Sequence, residues 1–192
     1  IGSLFLLLVG ISLVFSYQKY KNKNNIDPPF TKYLKRGLFL FFLALIITLL
    51  TWIYPHNGFI VFGVIHCISI SIILSYWFIP HPNISLSMGI ILISIGIFFT
   101  TITTKNPYLF LIGLTTSSFY TLDYFPLLPW LGVVLIGIFL GQYLYPRLAK
   151  ENITFQKPPK IARPITFLGD HALIIYLLHQ PILFGLLYFF FK

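Results

Sequence analysis

Six stretches of this chain, approximately Ile1 to Tyr17, Gly37 to Tyr54, Phe59 to Ile79, Ile84 to Thr101, Pro126 to Tyr145 and Asp170 to Phe191, are apolar over the length of a bilayer crossing. A helix rises ~1.5 Å per residue, so ~17–25 residues cover a ~30 Å hydrocarbon core. Backbone in lipid must satisfy its own hydrogen bonds, which makes apolar runs of this length helices. The expectation is an all-α, polytopic transmembrane helix bundle with about six spanning helices, forming a single membrane domain over residues 1–192. A mean hydropathy of +0.88 and a charged fraction of 9% exclude an ordinary soluble domain of this size.

Charge sets the orientation. Thirteen Lys and Arg stand against four acids, for a formal charge of +9, and the basic residues are clustered. Lys19, Lys21, Lys23, Lys32, Lys35 and Arg36 lie between the first two stretches. Arg147, Lys150, Lys157, Lys160 and Arg163 lie between the last two. Six crossings put both loops on one face, and the positive-inside rule predicts that this face is cytoplasmic. That pattern speaks against a nucleic-acid partner and for the lipid bilayer. The single cysteine, Cys67, sits in an apolar run and excludes a disulfide framework or a thiolate metal site. The chain begins inside an apolar run without a basic leader, so one further helix upstream of Ile1 is the simplest completion of the topology.

Between Thr101 and Pro126 the pattern breaks. Lys105, Asn106 and Pro107 interrupt the helix, Tyr108 to Gly113 is too short to cross, and Thr115 to Ser118 is polar. This predicts an extracytoplasmic hairpin, re-entrant or lying on the membrane surface. Pro126 and Pro129 then stiffen the start of the fifth helix, where a proline's missing N–H costs nothing. Gly137 with Gly141, and Gly89 with Gly96, predict close helix approach.

Ionisable groups at membrane depth default to function. His66, about two turns below the outer end of the third stretch and followed by Ser69, Ser71 and Ser75, is one; His179, near the middle of the last, is another. Either serves chemistry, or it is a neutral imidazole bonding between helices. Asp123 is the one acid on the outer side, suited to orient a base or to form a turn. Asp170 suits a cap for the last helix, and His171 beside it is placed to face the cytoplasmic mouth. No P-loop, dinucleotide fingerprint, zinc spacing or internal repeat is present.

Five segments in order carry a resemblance: Leu8 to Leu13, Tyr33-Leu34-Lys35-Arg36-Gly37, Phe62-Gly63-Val64-Ile65-His66-Cys67-Ile68, Asp123 to Gly137, and Leu168-Gly169-Asp170-His171 through His179-Gln180-Pro181. Over nearly its whole length the chain resembles the catalytic-domain family of heparan-alpha-glucosaminide N-acetyltransferase, especially its short prokaryotic members. The resemblance implies a transmembrane acyltransferase in a prokaryotic plasma membrane. Such an enzyme moves an acyl or acetyl group from cytosolic acyl-CoA (acetyl-CoA) to an amino or hydroxyl group of an envelope sugar or polysaccharide. It also implies a principal catalytic histidine upstream of Ile1; if that residue is absent from the protein, His66 is the substitute base, and Asp123 is the visible carboxylate able to orient a base. Donor phosphates suit a mouth of Lys32, Lys35, Arg36 and Arg163, with His171 and His179 along the donor's route. Arg36 leads this set because it opens an apolar helix. The basic residues equally satisfy the orientation rule alone. Two other readings stay open: a transporter or channel lined by His66, His179 and Asp123, and a structural membrane subunit, homo-oligomeric or packed on a partner.

Overall fold

The computed structural model describes residues 2–54 and 56–150, together with Thr166, Phe167, Gly169, His171 and Ile175. Five helices run through this region: α1 (Gly2–Asn24), α2 (Phe30–Ile53), α3 (Val64–Ser75), α4 (Pro82–Phe99) and α5 (Leu127–Lys150). Short 3-10 turns follow at Tyr76–Phe78 and Pro107–Ile112. Among the described residues there are no strands, only the isolated bridges Phe62 to Tyr124 and Thr103 to Thr115. The chain divides into two compact units, Ile1–Arg147 and Leu148–Lys192.

Four helices are long and apolar enough to cross a membrane: Gly2–Asn24, Phe30–Ile53, Pro82–Phe99 and Leu127–Ala149. The protein is an all-α integral-membrane bundle, but the count differs from the expected six for two reasons. The stretch from Phe59 to Ile79 does not become one helix, because residues 59–63 are non-helical and α3 covers only 12 residues. The stretch from Asp170 to Phe191 lies outside the described residues, apart from His171 and Ile175.

The first unit has two distinguishable ends. At the basic end the 25–29 connection meets the 76–81 connection: Tyr76 donates its hydroxyl to the Pro28 carbonyl at 3.1 Å, and the Phe30 and Trp77 rings lie 4.9 Å apart. Gln18 donates to Gln142 at 3.2 Å, Gln142 donates to the Ile79 carbonyl, and Asn22 donates to Tyr145 at 3.1 Å. At the opposite end the 54–63 segment pairs with 121–126. Leu122 N–H donates to Gly58 at 2.8 Å, Phe125 N–H to Phe62 at 3.0 Å, and the Thr121 hydroxyl to Phe59 at 2.8 Å. Pro107–Ile112 packs over this pairing, with Phe110 6.4 Å from Phe62 and the Tyr124 hydroxyl bonded to the Phe110 carbonyl at 2.6 Å. The expected non-spanning hairpin is therefore present as a folded cap.

Glycines bring the helices together as the spacing predicts. The α-carbon of Gly10 faces the Val134 carbonyl and that of Gly137 the Leu7 carbonyl, so an added methyl would overlap backbone at either position. Gly89 and Gly132 face each other in the same way between α4 and α5, and Gly96 lies against Pro129. Leu128 is extended (φ −103°, ψ 126°), as a residue before proline prefers, and the regular part of α5 begins at Pro129. Helix α3 lies inside this frame with nine of its twelve residues buried. Its backbone meets α2 at Gly37, whose α-carbon faces the Ser69 carbonyl and the Ile73 side chain.

Candidate functional site

His66 occupies the first turn of α3, because the helix starts at Val64 and not at the beginning of its apolar run. It is therefore not two turns inside the helix, as its place in the run suggests. Gly63 is the N-cap and His66 the third helical residue, a spacing that lets the side chain reach back to the cap N–H. Gly63 N–H donates to His66 Nδ1 at 3.3 Å. A backbone N–H can only donate, so the neutral ring carries its proton on Nε2. That atom stands 3.4 Å from Thr48 Oγ1 on α2 and donates to it. The Thr48 hydroxyl passes its own proton to the Ile60 carbonyl at 2.7 Å. The chain Nε2–H to Thr48 to Ile60 is consistent in direction throughout.

Aromatic rings close the remaining sides. Phe41 meets the imidazole edge-on at 5.7 Å and 89°, and Phe62 lies over it at 5.5 Å and 31°. His66 is 3% exposed. The serines that follow it do not make a wet lining, since Ser69, Ser71 and Ser75 are buried in protein and Ser69 donates to the His66 carbonyl at 2.7 Å.

Asp123 comes to the same helix end from the other side. Its Oδ2 accepts Val64 N–H at 3.0 Å, satisfying one of the free donors of the first turn and placing a carboxylate at the positive end of the helix. Beside the expected roles of orienting a base or making a turn, Asp123 caps a helix that starts 59 positions earlier. Gly63 permits this, since a methyl there would overlap the carboxylate. His66 and Asp123 are brought together around Gly63, but no hydrogen bond joins them among the described residues. Burial pushes the Asp123 carboxyl above its usual range, and the Val64 N–H opposes that shift. Burial also pushes the neighbouring Tyr124 phenol up to about 12.

The cations occupy the other end. Lys32, Lys35 and Arg36 are exposed on the first turns of α2. Lys32 stands 4.6 Å from the centre of the Tyr20 ring. Lys21 is neutralised by Asp27 at 2.9 Å, and that ammonium group is the main cause holding the Asp27 carboxyl below its usual range. Among the described residues none of Lys32, Lys35 and Arg36 has a carboxylate partner. In the second unit His171 is exposed, 4.3 Å from the Phe167 ring, and its Nδ1–H donates to the Phe167 carbonyl at 2.9 Å. Arg163 and His179 lie outside the described residues, as do Asp170, Gln180 and Pro181. No cluster of three or more His, Cys, Asp or Glu side chains among the described residues offers a metal site.

Thr48 and the capping role of Gly63 do not emerge from the sequence. The signal for the second was present, since a glycine three residues before a histidine at the head of an apolar run is a cap spacing. For Thr48 there was none, since it is one of three threonines in that helix.

The described residues thus set a buried histidine and a carboxylate at one end of a membrane bundle and exposed cations at the other. The family model for the catalytic region of heparan-alpha-glucosaminide N-acetyltransferase matches residues 1–181. The chain belongs to that family. No curated protein and no solved structure matches it. With four helices of spanning length, family membership makes this an integral-membrane protein of acetyltransferase type.

Proposed function

We propose that this protein carries an acetyl or other acyl group from acyl-CoA, met at the basic end, to an amino or hydroxyl group of a sugar or polysaccharide met at the opposite end. The basic loops then face the cytoplasm of a prokaryotic cell, and residues 1–192 act as one membrane domain. The observation that carries the reading is the state of His66. Its Nε2–H is held by Thr48, which leaves Nδ1 as the atom able to take a proton, and Nδ1 faces the 59–63 segment at the non-basic end.

In this scheme the acceptor displaces the Gly63 N–H from Nδ1. Its nitrogen or oxygen attacks the thioester carbonyl and loses its proton to His66. The carbon–sulfur bond breaks, and CoA leaves as a thiolate that recovers a proton. Asp123 keeps the first turn of α3 in place and presents a half-buried carboxylate beside the acceptor. Lys32, Lys35 and Arg36 receive the donor's phosphates. Arg suits a phosphate through its paired N–H groups.

Acetyl-CoA titrated into the purified chain in nanodiscs should bind saturably. Arg36→Ala should weaken that binding by about 1.5–3 kcal/mol, the worth of a hydrogen bond to a charged group. A chain that binds no acyl-CoA overturns the reading and leaves transport as the alternative.

A further inference from the structure

Two buried hydroxyls at the basic end have no hydrogen-bond partner among the described residues: Tyr33 OH on α2 and Ser75 Oγ on α3. Tyr33 is 2% exposed and Ser75 0%. They lie at one level of the bundle, since the Tyr33 ring stands 5.3 Å from that of Tyr76, the residue after Ser75. Their neighbours behave otherwise. Tyr76 donates to Pro28, and the buried Ser69 and Ser85 donate to the His66 and Leu135 carbonyls at 2.7 and 2.8 Å. One turn further in, Ser71 reaches only the Cys67 thiol, at 3.9 Å.

Buried polar groups are nearly always paired, and an unpaired one destabilises the fold that holds it. Phe and Ala at these two positions would fill the same space without that cost. Both hydroxyls lie within a turn of the level where α2 presents Lys32 and Arg36 to solvent. A neutral hydroxyl pair suits a neutral amide, whereas a phosphate buried against these hydroxyls would have to shed its water. We propose that Tyr33 and Ser75 form a subsite that hydrogen-bonds the amide-bearing pantetheine arm of the donor, inward of phosphates held by Lys32 and Arg36. This rests on the acyl-CoA reading above.

The test compares Tyr33→Phe and Ser75→Ala with the unaltered chain in nanodiscs, using two probes: acetyl-CoA, and adenosine 3′,5′-bisphosphate, which has the phosphates but no arm. Each substitution should raise the Kd for acetyl-CoA about 3–10-fold, the effect of one hydrogen bond. The Kd for the bisphosphate should not change, and the ligand-free thermal midpoint should hold or rise. Unchanged acetyl-CoA affinity in both variants overturns the inference, with buried water then satisfying the hydroxyls. Equal losses for both probes overturn it as well, because they report damage to the phosphate end. An unaltered chain that binds neither probe overturns the acyltransferase reading itself, a different result from the other two.

Discussion

Helices α2 and α3 pack against each other, yet they are built by opposite rules. Three of the 24 residues of α2 are buried, and its outward row of Leu38, Phe39, Phe42, Leu45 and Leu49 is 45% or more exposed except where Phe41 and Ala44 turn inward. Nine of the 12 residues of α3 are buried, and they include His66, Ser69, Ser71 and Ser75. In this pair α2 therefore turns a row of large apolar side chains outward, while α3 buries a histidine and three serines at the centre. In water the hydrophobic effect drives the reverse arrangement. In lipid there is no such force between helices, and polar groups must find partners inside the protein.

The strongest way to break this contrast is to ask whether the polar centre works or merely packs. Because both ring nitrogens of His66 are bonded, His66→Ala should lower both turnover and the thermal midpoint. His66→Asn separates the two effects, since its side-chain oxygen can still accept the Gly63 N–H but cannot take a proton. Acetyl transfer by His66→Asn should fall about 10²–10⁴-fold, the usual loss of a positioned base, with the midpoint near that of the unaltered chain. Turnover close to normal would reduce His66 to a cap.

Packing comes next in size. Ile72, 1% exposed on α3, should cost about 2–5 kcal/mol when cut to Ala. Leu49→Ala on α2, where the side chain is 54% exposed, should stay within about 0.5 kcal/mol in chemical unfolding from mixed micelles. Equal costs would mean that the two helices have been assigned inside and outside wrongly.

The smallest effect belongs to Asp123. Removing its acceptor by Asp123→Ala leaves Val64 N–H unpaired and should cost about 0.5–2 kcal/mol, as cap losses do. Asp123→Asn keeps an acceptor and should cost less. Burial raises this carboxyl in the folded state, so the stability it contributes is fully present below the unfolded value of about 3.9 and is lost as pH rises through the folded value. The stability advantage of the unaltered chain over Asp123→Asn should therefore shrink as pH climbs from about 4. An advantage that grows with pH would show that the Val64 bond outweighs burial.

Much of this architecture was legible in the chain. The apolar runs marked α1, α2, α4 and α5, the proline and lysine near position 105 marked the break between spans, and Gly89, Gly96, Gly137 and Gly141 marked close approaches. Each is a local signal. The start of α3 was not legible, because Phe59 to Gly63 are apolar enough to continue a helix and are instead kept out of it, with the Phe59 and Phe62 carbonyls bonded to the Thr121 hydroxyl and Phe125 N–H. The His66 contacts were hidden for the same reason: Thr48 is on another helix, and periodicity within one segment does not report what a neighbouring segment presents. The capping role of Asp123 was hidden as well, because its partner Val64 lies in a distant part of the chain.

That distant partnership bears on how the protein is assembled. Helix α3 is about 18 Å long at ~1.5 Å per residue, short of a full crossing, and the first of its N–H groups is accepted by a carboxylate made 59 residues later. At ~5–20 residues per second, a ribosome needs roughly 3–12 s to supply that carboxylate. During that interval the segment from Phe59 to Ile79 lacks its cap. The centre of the bundle is therefore among the last parts to settle, with α1 and α2 already in the membrane waiting for it.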